Sequence, residues 1–202
     1  MTLSPAIIPT PTLIFATNNT HKIREIQAAV GQDLHIITLR EAGIDIDIPE
    51  PHDTLEANAL EKSATIHRLT GKNCFSEDSG LEVRALKGEP GVNSACYAGA
   101  HRSDKDNIAL LLHRLEAHPD RRARLRTVIS LIWNDRQYLF EGTCEGRILT
   151  APVGENGFGY DPVFVPDGET RSFAQLSLQE KNLYSHRRKA AGQLVAFLRQ
   201  TI

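Results

Sequence analysis

The order in which extended and helical patterns follow one another is the feature that most constrains the fold of this chain. Near the N-terminus, a short apolar run, a segment with apolar residues at helical spacing and a second extended run succeed each other, at 13–16, 23–30 and 35–39. Farther along, two extended segments meet at Asn134-Asp135, a dipeptide typical of tight hairpins. The alternation favours parallel pairing and the hairpin requires antiparallel pairing, so the sequence predicts an α/β fold with a mixed sheet.

Capping residues predict where the helices begin. Asp53, with Glu56 three residues later, is typical of a helix start, and Ser103 has the same position before a leucine-rich segment. Ser177 and Glu180 form a capping-box pattern, and the last helix is expected to start near Ser185.

Composition excludes several classes of protein. The chain has 202 residues and a formal net charge of −2, which argues against a nucleic-acid coat or a membrane-surface binder. Its three cysteines are widely spaced and form no CxxC pair, which favours reduced thiols and a cytoplasmic location. Residues 1–12 have no basic start and no long apolar run, so we expect neither a signal peptide nor a membrane span there, and they contain three prolines. We expect a flexible arm over 1–12 and a single domain over 13–202.

The first candidate site lies between a strand and a helix. Its small polar residues end in a lysine: Thr17, Asn18, Asn19, Thr20, His21 and Lys22. A helix N-terminus presents unpaired N–H groups and the positive end of the helix dipole, so this segment is suited to phosphate. The glycines of a Walker P-loop are missing, and an ordinary capped helix with a solvated lysine is the alternative.

The second candidate site is the tetrapeptide Glu77-Asp78-Ser79-Gly80, which follows a predicted buried strand. Successive strand residues point to opposite faces, so a tight bend is needed if Glu77 and Asp78 are to reach one metal ion. Mg²⁺ prefers carboxylate oxygens together with substrate phosphates, and Glu50 is a third candidate ligand. The alternative is a polar turn in which Asp78 bonds its own backbone.

Two further segments suit a nucleoside. In Gly157–Pro162, the aromatic rings of Phe158 and Tyr160 alternate with glycines, so that a ring could stack on a base, although both rings could equally fill the core. Between 181 and 189, five basic or potentially basic side chains crowd a helix start, where they oppose the helix dipole unless an anion compensates. A solvated basic face is the alternative there.

Other catalytic patterns are not found in the sequence. The eight histidines show no zinc-binding spacing, and neither a GxSxG motif nor a Cys–His pattern indicates a covalent nucleophile. Water is therefore the expected nucleophile for any hydrolysis.

Taken together, these segments resemble the inosine triphosphate pyrophosphatase family. The matching pieces occur in the family's order between 13 and 190, and they read ATNNTHKIREI, SEDSGLEV, GEPGVNSACYAG, EGTCEGRI, GENGFGYDPVFVPDG and SLQEKNLYSHRRKA. The resemblance implies an elongated α/β molecule with a mixed sheet, two lobes with a cleft between them, and a homodimer. It also implies a Mg²⁺-dependent enzyme that cleaves ITP, dITP or XTP into the monophosphate and pyrophosphate.

The resemblance also implies roles for individual residues. Asp78 matches the proton acceptor and metal ligand, and Glu50 and Glu77 would complete the metal site. The segment 17–22 would hold the triphosphate. The remaining substrate contacts would be Ser79, Phe158, Gly159, Tyr160, Asp161, Lys181, His186 and Arg187. The partners expected are a purine nucleoside triphosphate and a second copy of the chain, and neither nucleic acid nor a membrane.

Departures from the family pattern concentrate in one segment. Asn93 and Cys96 stand where tyrosine and arginine are usual, and Glu77 stands where the family commonly has aspartate. The segment 93–97 is therefore doubtful as a wall of the site.

Base selection has a simple physical hypothesis. Hypoxanthine and xanthine carry a C6 keto acceptor where adenine carries an amino donor, so donors from Arg187, His186 or the backbone would favour the first two. Rejection of GTP needs another device, which the sequence does not show. Two alternatives stay open: a pyrophosphatase for modified pyrimidine nucleotides, and a regulator that binds ITP or XTP without turnover.

Overall fold

The computed structural model describes residues 10–201 of the chain. The strands are β1 Thr12–Phe15, β2 His35–Thr38, β3 Cys74–Val83, β4 Pro90–Gly91, β5 Arg122–Trp133, β6 Arg136–Ile148 and β7 Phe164–Pro166. The helices are α1 Thr20–Val30, α2 Leu55–Thr70, α3 Asp104–Arg114, α4 Leu178–Lys181 and α5 His186–Thr201. The first nine residues of the predicted N-terminal arm lie outside the described residues, and the last one, Thr12, belongs to β1.

The described strands form one mixed sheet in the order β2-β1-β3-β5-β6-β7, and β4 pairs with the C-terminal end of β3, at Leu81 and Glu82. Strand β1 pairs in parallel with β2 and β3, whereas β3, β5, β6 and β7 pair antiparallel in succession. The hairpin between β5 and β6 turns at Asn134 and Asp135, which have φ angles of 50° and 61°. Such left-handed angles suit a two-residue hairpin turn, and the predicted mixed α/β sheet is confirmed.

Local capping rules located most of the helix ends. Asn19 caps α1, Ser103 caps α3, and Ser177 forms the predicted capping box with Glu180. The predicted cap at Asp53 is wrong by one residue, because the Thr54 side chain accepts the bond from the Ala57 N–H.

Buried apolar side chains gather in two main cores along the sheet. One core lies between the β1 side of the sheet and helices α1 and α5, and it includes Phe15, Phe75 and Leu194. The other surrounds β7 and α3 and includes Phe164 and Phe173. A smaller cluster, which includes Ala16 and Leu39, lines part of the cleft described next. Within residues 10–201, every helix lacks the length or the hydropathy that a transmembrane segment needs.

Candidate active site

A cleft of about 320 Å³ collects most of the residues that the sequence singled out. Fourteen of these residues line it: Thr17, Asn18, Asn19, Lys22, Glu50, Asp78, Ser79, Phe158, Gly159, Tyr160, Asp161, Lys181, His186 and Arg187. Three others, Thr20, His21 and Glu77, are outside its lining. Segments far apart in sequence therefore meet at one site.

Strand β3 separates the two adjacent acids, Glu77 and Asp78. The predicted tight bend is wrong, because β3 runs without interruption from Cys74 to Val83 and pairs with β5 along its whole length. The twofold alternation of a strand then sends Glu77 toward α5 and Asp78 toward α2. Glu77 contacts Arg187, whereas Asp78 contacts Lys62 and Asn58. The two acids therefore serve different surroundings.

Asp78 shares a lysine with Glu50. The Lys62 ammonium lies 3.3 Å from Asp78 Oδ1 and also contacts Glu50 Oε1. Burial raises the pKa of Asp78, and the nearby Glu50 charge adds to this, although Lys62 and Lys22 oppose the shift. Burial acts in the same direction on Glu50, but there Lys62, Lys22 and Arg102 prevail and lower the pKa. Burial thus raises the pKa of Asp78 while cations lower that of Glu50, and a carboxylate with a raised pKa suits a proton acceptor.

These two carboxylates fit a hard divalent cation, but Glu77 does not. Glu50 and Asp78 direct oxygen atoms at the same ammonium group, and one or two carboxylates are a usual protein contribution to a Mg²⁺ site. Glu77 is fully buried on the other face of β3 and engaged with Arg187 and Lys22. Within residues 10–201, groups of three potential metal-ligating side chains are absent. The predicted three-carboxylate set is therefore not assembled.

Arg187 is the centre of a buried ion network. Its Nε and Nη2 donate to the two Glu77 oxygens at 2.7 and 3.1 Å, and Nη1 donates to Glu25 at 2.5 Å. Nη2 also donates to Ser79 Oγ at 3.1 Å. Although burial opposes ionisation, the Arg187 and Lys22 charges hold the pKa of Glu77 far below its usual range. The anion that compensates the crowded basic segment is thus supplied by the protein itself.

Lys181 completes this network. Its ammonium contacts Glu25 Oε1 at 2.7 Å and Asp161 Oδ2 at 2.5 Å, and all three side chains are buried. The neighbouring His186 is buried as well, and burial together with the Arg187 and Lys181 charges lowers its pKa well below the usual value. His186 is therefore a neutral ring, and its Nδ1 has no hydrogen-bond partner among the described residues.

The start of α1 presents side chains rather than backbone amides to the cleft. The side-chain Oδ1 of Asn19 accepts from the N–H groups of His21 and Lys22, and Thr17 Oγ1 accepts from the Asn19 N–H. The predicted unpaired N–H groups are therefore largely capped. The Lys22 ammonium lies 3.1 Å from Glu77 Oε1 and is 15% exposed, so a cation still faces the cleft at this end.

The two aromatic residues of the glycine-rich loop differ. Tyr160 is buried in the core, and its hydroxyl donates a hydrogen bond to the Ser94 carbonyl at 2.9 Å. This agrees with the alternative in which the rings of this loop fill the core. Phe158 stays half-buried, stacks on His21 and lies within 5.6 Å of both the Lys181 and Arg187 cations. Only Phe158 therefore presents a ring on which a base could stack.

Gly157 shows why this loop needs a glycine. Its φ is 78°, and a Cβ there would collide with the Asp161 carboxylate. That carboxylate accepts the Phe158 N–H at 3.0 Å, so the loop folds tightly around a buried acid.

Several residues of the site escaped the sequence analysis. Helix α2 buries a polar asparagine and lysine in its inward stripe: Leu55, Asn58, Ala59, Lys62, Ser63 and Ile66. Asn58 and Lys62 could have been found in the sequence as polar residues at the helical spacing of the buried positions of α2. Glu25 gave a weaker signal, because α1 was interpreted only by its apolar face. The doubtful segment 93–97 does supply a wall, since Ser94 and Ala95 line the cleft, whereas Cys96 is exposed.

Comparison with known proteins gives a consistent result. The model of the Ham1 family matches residues 13–197. The dITP/XTP pyrophosphatase of Porphyromonas gingivalis is 48% identical over 187 residues, covering 92% of this chain and 96% of that protein. The dITP/XTP pyrophosphatase of Flavobacterium psychrophilum is 45% identical over 187 residues, covering 93% of this chain and 98% of that protein.

A solved structure of the Ham1 protein of Staphylococcus aureus has the same fold. Its TM-score is 0.85 at 42% identity, and the match covers 95% of this chain and 100% of the other. The family match, the relatives and the shared fold all span nearly the whole chain, and this protein belongs to the Ham1 family.

Proposed function

We propose that the protein hydrolyses deaminated purine nucleoside triphosphates, namely ITP, dITP and XTP, to the monophosphate and pyrophosphate. The observation that carries the proposal is the meeting, in one cleft, of an acid with a raised pKa, lysines and a half-buried aromatic ring. Relatives at 45–48% identity bear the name dITP/XTP pyrophosphatase, which supports the same substrate class.

In the proposed reaction, the phosphates lie at the Lys22, Lys62 and Glu50 end of the cleft. Asp78 accepts a proton from water as the water oxygen bonds to the α-phosphorus. The bond from that phosphorus to the oxygen bridging to the β-phosphate breaks, and pyrophosphate leaves with the electron pair. Lys22 and Lys62 offset negative charge on the phosphates.

Mg²⁺ is the proposed cofactor, and Glu50 and Asp78 are the residues that would hold it. When bound, the ion would neutralise phosphate charge and lower the pKa of a bound water. Glu77 is left out of this set, because Arg187 and Lys22 occupy its carboxylate.

The nucleoside end of the proposed site has Phe158 for stacking and Arg187 with His186 for reading the base. An arginine has five N–H donors, and four of those of Arg187 have partners within residues 10–201. One Nη1 hydrogen is left for an acceptor such as the C6 keto oxygen. Neutral His186 can offer either a donor or an acceptor, depending on its tautomer.

A substrate panel tests this function. Pyrophosphate release would be measured with ITP, dITP, XTP, GTP, ATP and a modified pyrimidine triphosphate, with and without Mg²⁺. We expect the highest kcat/KM for ITP, dITP and XTP. Preference for the pyrimidine would favour the pyrimidine pyrophosphatase, and tight ITP binding without turnover would favour the regulator. The homodimer, the cytoplasmic location and the single domain over 13–202 stay predictions from the sequence.

A further inference from the structure

Arg102 is a cation that lines the cleft, and the family resemblance assigns no role to it. It lies directly before Ser103, the cap of α3, and it lines the cleft. Its side chain is 63% exposed, so its charge faces the opening of the cleft.

The Arg102 guanidinium has no carboxylate as close to it as the other cations of the cleft have. Within residues 10–201, the Lys22, Lys62, Lys181 and Arg187 side chains each have a carboxylate within 3.3 Å. Arg102 Nη2 lies 3.9 Å from Glu50 Oε2, which is longer than a hydrogen bond. Among the described residues, its guanidinium makes no hydrogen bond, so its N–H groups are available to donate to an anion.

The backbone of Arg102 has an unusual conformation. Its φ is 51°, in the left-handed region that residues other than glycine and asparagine seldom adopt. Its N–H donates to the Gly99 carbonyl at 3.3 Å, and Ser103 caps α3 immediately afterwards. Such strained residues cluster at functional sites, where the surrounding structure holds them in place.

A chain of contacts places Arg102 relative to the reaction. Asp78 contacts Lys62, Lys62 contacts Glu50 Oε1, and Glu50 Oε2 faces Arg102. The Glu50 side chain is 30% exposed and that of Asp78 is 8% exposed, so this chain runs from the interior toward solvent. If the attacked phosphorus lies beside Asp78, the two outer phosphates lie toward Glu50 and Arg102.

We propose that Arg102 binds the β- and γ-phosphates at the Glu50 end of the cleft and stabilises the departing pyrophosphate. The proposal rests on the proposed function, because it assumes attack beside Asp78. A guanidinium matches phosphate oxygens in a bidentate geometry, which a lysine cannot reproduce. Arg102 thereby contributes to the preference for a triphosphate over shorter nucleotides.

The test compares Arg102→Ala and Arg102→Lys with Arg199→Ala. Arg199 is a matched control, because its side chain is 67% exposed, pairs with a single carboxylate and lies outside the cleft. Calorimetry would measure the binding of inorganic pyrophosphate and of IMP, both with Mg²⁺, and pyrophosphate release would give kcat and KM for ITP. A variant Arg102→Gly, which suits the left-handed backbone, separates loss of the side chain from strain.

In Arg102→Ala and Arg102→Gly, we expect the Kd of pyrophosphate to rise and kcat/KM for ITP to fall, each by about 10–150-fold, the range of one charged hydrogen bond. The Kd of IMP should stay unchanged, Arg102→Lys should be intermediate, and Arg199→Ala should match the wild type. An unchanged pyrophosphate Kd, or equal weakening of pyrophosphate and IMP, would overturn the proposal.

A Glu50→Gln background distinguishes direct phosphate binding by Arg102 from an indirect effect of Arg102 on the position of Glu50. If Arg102 acted only through Glu50, Arg102→Ala would have no effect on pyrophosphate binding in a Glu50→Gln protein. We expect weakening in that background too. Failure of the wild type to release pyrophosphate from ITP would instead overturn the proposed function, and this result is independent of the difference in pyrophosphate affinity among the variants.

Discussion

Two charged clusters flank the cleft, and they differ in balance. The lysine-bridged pair consists of Glu50 and Asp78 around Lys62. The buried ion network consists of Glu25, Glu77, Asp161, Lys22, Lys181 and Arg187. In the network, three acids contact three cations, whereas the two acids of the pair share one close cation, Lys62, and Arg102 lies 3.9 Å from Glu50.

This difference separates a structural cluster from a reactive one. The buried network has matched charges; in it the pKa values of Glu25 and Glu77 are lowered, whereas burial raises the pKa of Asp161. The two acids of the lysine-bridged pair share one closely bound cation; burial raises the pKa of Asp78, whereas Lys62, Lys22 and Arg102 lower that of Glu50. Unbalanced carboxylates at a cleft can bind a cation or accept a proton, whereas balanced ones hold side chains in place.

The largest effect is expected from removing the base. Asp78→Asn should lower kcat for ITP by about 10²–10⁴-fold, the usual contribution of a general base. The protein should stay folded with an unchanged or higher Tm, since ionised Asp78 is disfavoured by burial. Steady-state kinetics and thermal unfolding check this, with Asp106→Asn on the exposed face of α3 as control. A kcat near that of the wild type would assign the base to another residue.

Breaking the buried network should instead reduce stability. Glu77→Gln leaves the buried Arg187 charge without its bidentate partner, so the free energy of unfolding should fall by about 3–5 kcal/mol. Arg187→Ala should be at least as harmful, which limits it as a test of base selection. Urea unfolding measures both. Glu50→Gln, in a partly exposed side chain, is the matched comparison and should change the unfolding free energy far less. Equal losses in Glu77→Gln and Glu50→Gln would remove the distinction between the clusters.

The dependence of activity on Mg²⁺ should be set by the carboxylates of the lysine-bridged pair and not by the buried ion network. Removal of divalent ions with EDTA should abolish turnover, and Mg²⁺ should restore it. In Glu50→Gln, the Mg²⁺ concentration needed for half-maximal activity should rise about tenfold, since one of two carboxylate ligands is lost. Mg²⁺ should also raise the Tm of the wild type by binding the native state, and raise it less in the variant. Full activity after exhaustive EDTA treatment contradicts the metal assignment.

The smallest expected effect is on the pH dependence of stability. Glu77 and Glu25 have lowered pKa values, so their stabilisation is complete above the unfolded-state pKa of about 4.3 and is lost as the pH falls below it. The difference in unfolding free energy between the wild type and Glu77→Gln should therefore narrow from pH 7 to pH 4. Urea titrations at several pH values measure this. A constant difference would mean that the pKa of Glu77 is the same in the native and unfolded states.

Predictions that rest on neighbouring residues succeeded most often. The spacing of apolar residues, the capping side chains of α3 and α4 and the Asn134-Asp135 turn each indicated the observed element, because these rules act within a few residues. The Asp53 cap failed by one position, since Asp53 and Thr54 are both suitable caps and adjacent.

For the site, sequence alone determined which segments carry chemistry, through their residue types and their order along the chain. The tertiary structure decided what each side chain does there. Adjacent Glu77 and Asp78 separated because β3 continues instead of bending, and a strand alternates its faces. Lys181 and Arg187, which look like cations for a ligand, are neutralised by Glu25, more than 150 residues earlier in the chain. Such long-range charge pairing depends on how helices pack across the sheet, which no local pattern encodes.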